Sequence, residues 1–146
     1  DGTIRNFALG RIEDFEVMTS LQYIERDEDL ESRFEDIVGV SLPAEEEGNT
    51  IKDILLWVNE EGYQYVKTKP LHGSQRDVKG KEDKALREKY PVLQGGCFFR
   101  LQCILNYELE QLLMSKMNQL VVLEPANLKD SLINRIKKMD SLYSSI

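Results

Sequence analysis

The chain has two cysteines and one histidine in 146 residues, and each scarcity removes a class of explanation. Cys97 and Cys103 fall on one face of what reads as a single strand, about 20 Å apart at ~3.3 Å per residue, whereas a disulfide needs Cα atoms within about 7 Å. They cannot pair with each other. One histidine and no Cys-x-x-Cys motif leave no donor set for zinc, so no metal and no other cofactor is expected. Read as small core residues, the cysteines fit a reducing cytoplasm. Long apolar runs are missing too. The longest, residues 54–58 and 120–123, are far below the roughly 18 to 20 residues of a membrane span, and no membrane partner is expected. The opening "DGTIRN" lacks the basic-then-apolar pattern of a secretory signal. It starts in mid-pattern, and a piece of a longer chain is expected.

Positive charge is in short supply, with 19 Lys and Arg against 26 Asp and Glu, a net charge of −7. An acidic whole argues against indiscriminate binding to a phosphate backbone. The balance is uneven: residues 1–66 carry −12, residues 67–89 carry +4 and residues 90–146 carry +1. The basic stretch "RDVKGKEDKALREK" reads as a solvated loop or surface helix because its charges are of mixed sign.

Residues 4–9 alternate as a strand does, Gly10 permits a bend, and residues 11–18 can continue extended or turn, which predicts a hairpin or consecutive strand pair. "QYIERDEDLESRFED" reads as an acidic connecting segment ending in a short surface helix. "IVGVSL" is a short β-rich run, followed by the loop composition of "PAEEEGNT". From residue 51 the pattern is more regular. "IKDILLWV" reads as a central strand, "NEEGYQYVKTK" as a short helix closed by Pro70, and "LHGSQRDV" as extended. After the turn at Gly95 and Gly96, "CFFRLQCIL" reads as a half-buried strand. "NYELEQLLMSKMNQL" predicts a helix with Asn106 as cap, Glu108 and Glu110 in its first turn, and Leu109, Leu112, Leu113 and Met117 on one face. "LVVLEP" is a final strand, and Leu128, Leu132, Ile136, Met139 and Tyr143 mark a last amphipathic helix. The order strand, helix, strand, strand, helix, strand predicts an α+β protein with a ferredoxin-like βαββαβ domain and an extra C-terminal helix over residues 43–146. Residues 1–42 hold too few strands for a domain of their own and read as the end of one that began upstream.

Catalysis needs a nucleophile with its base, a metal set, a phosphate loop or paired carboxylates in one cleft, and the sequence announces none, so no enzyme is expected. In "PLHGSQ", His72 stands two residues before Ser74 with no orienting third group in view, and a hydrogen-bonded structural role is the expectation. "QGGC" lacks the Lys-Ser/Thr of a phosphate loop. Arginine at the ends of an apolar face is the more informative feature. If residues 5–11 stay extended, Arg5, Phe7, Leu9 and Arg11 share one side, and guanidinium forks flanking a ring suit an anionic, partly aromatic ligand. The alternative is that each arginine pairs with a nearby carboxylate such as Glu13, Asp14 or Glu16.

"IRNFALGRIEDFEV" resembles the segment after the Trp-Tyr-Leu motif of WYL-domain proteins, with Arg5, Phe7, Leu9, Arg11 and Ile12 at the matching positions. "PLHGSQ" and "VVLEPANLKDSL" resemble signatures of the C-terminal extension that follows WYL domains in bacterial regulators. The Trp-Tyr-Leu motif itself is absent, Gly10 stands where the family commonly has Asp, and residues 79–96 form a long insertion. The resemblance implies that residues 1–42 are the end of an Sm-like WYL barrel and residues 43–146 its extension. It further implies a cytoplasmic, homodimeric transcriptional regulator that meets promoter DNA through an upstream winged helix-turn-helix. The implied function is ligand sensing and dimerisation, the ligand being single-stranded nucleic acid or another anionic molecule. Arg5, Phe7 and Arg11 match the family's ligand groove, and His72 and Gln75 match the extension's signature as candidate ligand contacts. The competing reading is a purely structural dimerisation module with no ligand of its own.

Overall fold

Residues 54–58 form most of strand β1 (Lys52–Val58), and all five are buried. A continuous apolar run, rather than an alternating one, is what a strand covered on both faces requires. The structure, a computed structural model, describes residues 7, 9–25, 32, 34–43 and 50–146, with Met117 as backbone only. In it β1 lies between β3 (Cys97–Cys103) and β4 (Leu120–Glu124), and the two-residue β2 (Arg76–Asp77) pairs with the far side of β3. The order is β2-β3-β1-β4, with every pairing antiparallel.

Helices cover both faces. On one, Ile54, Leu56 and Val58 join Phe99, Leu101 and Cys103 beneath α1 (Glu60–Thr68), α3 (Tyr107–Met114) and α4 (Ala126–Tyr143). Val66, Leu109, Leu113, Leu128 and Leu132 are the helical side of that core. On the other face Leu55, Trp57, Phe98 and Leu123 pack against Leu86 of α2 (Gly80–Lys89), flanked by Tyr90 and Leu93. Two of the helix starts, those of α1 and α3, follow from side-chain chemistry. Asn59 Oδ1 accepts from Gly62 N at 2.8 Å and Asn106 Oδ1 from Leu109 N at 2.8 Å, each satisfying an N–H that the first helical turn leaves open.

The α+β class and the run of elements from residue 51 agree with the sequence, with α2 added between β2 and β3. Several local expectations are refined or corrected. The mixed-charge run is a surface helix, one of the two forms expected of it, and it buries a single residue, Leu86, against the sheet. That cover is why β3 buries Phe98 as well as Phe99 and Leu101, instead of alternating. The extended stretch "LHGSQRDV" pairs only at Arg76 and Asp77. "IVGVSL" is a series of bends, since Gly39 has a positive φ of 79° that a strand does not contain. Residues Leu9–Arg11 form a 3-10 turn closed by Ile12 N donating to Leu9 O at 3.2 Å, and residues 12–25 join no sheet. The strand pair expected there is therefore not formed among the described residues, where no neighbouring strand takes up its backbone groups and Phe15, Val17, Tyr23 and Ile24 are exposed. Among the described residues no helix is long and apolar enough to cross a membrane.

Candidate functional site

Of the residues singled out near the N-terminus, Arg5 lies outside the described residues. Phe7 is 80% exposed, and Arg11 ends the 3-10 turn, exposed. The turn takes Leu9 and Arg11 out of the alternating geometry that would align them on one strand face. Among the described residues no ion pair engages Arg11, and Glu13, Asp14 and Glu16 leave it unclaimed.

His72, Ser74 and Gln75 are brought together in the loop before β2. The His72 ring has Nε2 2.9 Å from the Glu35 carbonyl and Nδ1 2.7 Å from Ser74 Oγ. A carbonyl only accepts, so Nε2 carries a proton, and Nδ1 accepts from Ser74 N at 3.2 Å. Ser74 Oγ also accepts from Gln102 N at 2.8 Å and lies 2.8 Å from Gln102 O, which splices the loop to the end of β3. Gln75 Oε1 accepts from Leu71 N at 3.0 Å, and its Nε2 donates to Val66 O at 3.0 Å. Each polar group of this trio is spent on backbone, so the arrangement staples α1, the loop and β3 together. The shallow hollow beside it, about 490 Å³, is lined by Glu35, Asp36, His72, Ser74 and Gln102 among others.

A second cluster gathers where β3 passes into α3. Asn106, besides capping α3, donates through Nδ2 to Val38 O at 2.8 Å and Ser41 O at 3.0 Å. The Glu108 carboxylate accepts from Val40 N at 3.0 Å and Ser41 N at 2.7 Å. Ile104 N donates to Asp36 O at 2.7 Å, and Ile37 is buried. A Cβ on Gly39 would fall on the Glu108 carboxylate. Partial burial pushes the Glu108 carboxyl up, but the N–H groups of Ser41 and Val40 outweigh it and hold the group below the ordinary carboxylate value. Sequence reading found the cap and the acidic first turn; the contacts to residues 38–41 are long-range, and their one local signal was a glycine inside a β-rich run.

The electrostatic centre of the sheet is Arg100. Its side chain, 16% exposed, reaches Glu82 of α2 through Nε at 2.6 Å, Asp53 of β1 through Nη1, and lies 3.8 Å from Glu124 of β4. One guanidinium thus joins three elements, consistent with a structural ion network rather than an open site. Burial pushes the Cys103 thiol up to about 11 and the Cys97 thiol upward as well, which disfavours the thiolate form of both.

A broad apolar surface lies at the opposite edge. Among the described residues strand β4 is unpaired on its outer side, and between it, α3 and α4 runs a groove of about 490 Å³ lined by Leu113, Met114, Val121, Ile133, Ile136 and Met139 among others. The stripe on α4 is used only in part. Leu128 and Leu132 are buried in the core, while Ile136 and Met139 remain 50% and 46% exposed, followed by Leu142 and Tyr143, also exposed. Lys129 lines the groove, and Asp140 lies about three turns further along α4.

The WCX domain family model matches residues 52–139, from the start of β1 into the exposed half of α4. None of the curated proteins matches the chain.

Proposed function

Because the chain belongs to the WCX domain family, whose domain is found at the C-terminal end of WYL-type regulators, we propose that it is the regulatory assembly module of a bacterial, cytoplasmic WYL-type transcriptional regulator. In this reading it does no catalysis, dimerises through the β4 and α4 surface, and serves a sensing domain that includes residues 1–42 as the end of an Sm-like barrel. Promoter contact would fall to an upstream winged helix-turn-helix. The interleaved antiparallel order, with α1 and α3 as crossovers, supports a ferredoxin-like description of residues 43–146.

The observation that carries the reading is the half-used stripe on α4. A helix buries one apolar stripe, and here the stripe runs on past the protein's own core into Ile136 and Met139, beside an unpaired strand edge. Two such helices packed antiparallel about a twofold axis cover each other's exposed halves and bring Lys129 of one copy to Asp140 of the other, as a self-complementary interface requires. Sedimentation equilibrium tests this. The wild-type chain is expected to dimerise, and Ile136→Lys to weaken the dimer at least about tenfold, the effect of some 1.4 kcal/mol, with little change in melting temperature. Asp140→Lys should weaken it less, and adding Lys129→Asp should restore it. A wild-type chain of monomer mass at every concentration would sink the assembly reading.

A ligand role has one observation of its own: Arg11 is exposed and in no ion pair among the described residues. An unclaimed guanidinium, with the exposed ring of Phe7 four residues before it in the chain, suits a single strand of nucleic acid, whose phosphates pair with arginine and whose bases stack on flat side chains. The Arg11→Ala variant in a salt series of oligonucleotide binding tests it.

A further inference from the structure

Residues 35–41 form a strap across the end of the sheet, fixed at points that lie far away in sequence. Glu35 O accepts from His72 Nε2, Asp36 O from Ile104 N, Val38 O and Ser41 O from Asn106 Nδ2, and the Val40 and Ser41 N–H groups meet the Glu108 carboxylate. Ile37 is buried beneath it and Val38 packs against the main core. The three side chains that hold it come from the loop before β2 and from the first turn of α3.

The seat on α3 is the informative part. The Asn106 amide has two functions at once: its oxygen caps the helix, and its nitrogen holds the strap. Glu108 places its charge in the first turn, where the helix dipole favours it, and receives two strap N–H groups there. Helix α3 has eight residues, too few to be stable without its cap and its packing. Its far end supplies Leu113 and Met114 to the apolar groove beside β4. The strap therefore grips one end of a two-turn helix whose other end is a wall of the groove.

We propose that the strap is a coupling element: force or displacement in the chain preceding residue 35 acts through Asn106 and Glu108 on α3, and so on the groove at the β4 edge. Its regulatory consequence rests on the assembly reading above, whereas the mechanical link from strap to α3 does not.

Hydrogen exchange on the full chain separates the two. Asn106→Asp keeps an oxygen for the cap and removes the Nδ2 donors to the strap, and Gly39→Ala displaces the strap from its own side. Both variants are expected to speed amide exchange at residues 36–41 and across α3 about tenfold or more, with β1 and β3 unchanged, and to shift the dimer dissociation constant by about threefold or more. Release of the strap with α3 still protected would overturn the proposal, and so would a strap that stays protected in both variants. If the wild-type chain does not self-associate, the assembly reading falls while the exchange at α3 still decides the coupling.

Discussion

Glu108 is a half-buried side chain whose carboxylate is held by two backbone N–H groups 67 and 68 residues away, which makes the strap a titratable contact. The Ser41 and Val40 N–H groups lower its pKa against the opposing effect of burial. A carboxyl depressed on folding stabilises the folded form above its unfolded pKa, about 4.3 for glutamate, and the contribution is lost as pH falls through the lower folded value. Strap protection should therefore hold at neutral pH and fade from about pH 4 downward. In Glu108→Gln that step should disappear, because the amide has no proton to gain in this range and holds the N–H groups less tightly throughout. Amide exchange or NMR shifts of Val40 and Ser41 followed down the acid limb would show it; an identical acid step in the variant would assign the titration to another group.

Among the elements, α2 is the one whose role differs most from its composition. It carries Lys81, Glu82, Asp83, Lys84, Arg87, Glu88 and Lys89, yet it covers a whole face of the sheet through Leu86. Arg87 fixes its end, donating to Asp83 at 2.8 Å and to the Gly95 and Gly96 carbonyls at 3.2 Å each. Leu86→Ala should cost roughly 2–3 kcal/mol, as a buried leucine does, where a solvated surface position would cost under about 0.5 kcal/mol. Trp57, the chain's single tryptophan, lies in the same cluster, so its emission should shift to the red before unfolding begins. Urea denaturation with tryptophan fluorescence measures both. What could be read in advance follows from this contrast. Strand β1 was legible because five apolar residues in a row leave few alternatives, α3 because cap and stripe both lie within one segment, α4 through its stripe, and α1 through the Pro70 that closes it. One leucine among charges gives no such periodicity, and α2 owes its burial to what β1 and β3 present to it. The same holds at the candidate site. His72, Ser74 and Gln75 stood out as a motif, but whether they bind or brace depends on Gln102, Val66 and Glu35, and the strap depends on pairs nearly 70 residues apart.

At the scale of the whole molecule, charge limits what a ligand can be. With −12 over residues 1–66 and −7 in all, the mean field repels a phosphate backbone, so any nucleic acid must be held at a few cations that carboxylates have not already claimed. Arg100, Arg87 and Arg135 are claimed, by Asp53 and Glu82, by Asp83, and by Glu110. Among the described residues, Arg11 and Arg76 are not, nor are lysines such as Lys81 and Lys84. Single-strand binding at such a site should weaken with salt, with a logarithmic slope of about −0.7 for each phosphate neutralised. Arg11→Ala should therefore reduce the size of that slope by about 0.7 for each phosphate the arginine had neutralised and raise the dissociation constant, while the melting temperature stays put because the side chain is exposed and in no ion pair. Fluorescence anisotropy of a labelled oligonucleotide across a salt series separates the cases. An unchanged slope in the variant would remove Arg11 from the phosphate path, and binding indifferent to salt in both proteins would point to base stacking, with Phe7 as the next residue to replace. Failure of the oligonucleotide to bind, beside retained binding of a small anion that Arg11→Ala abolishes, would keep the arginine and change the class of ligand.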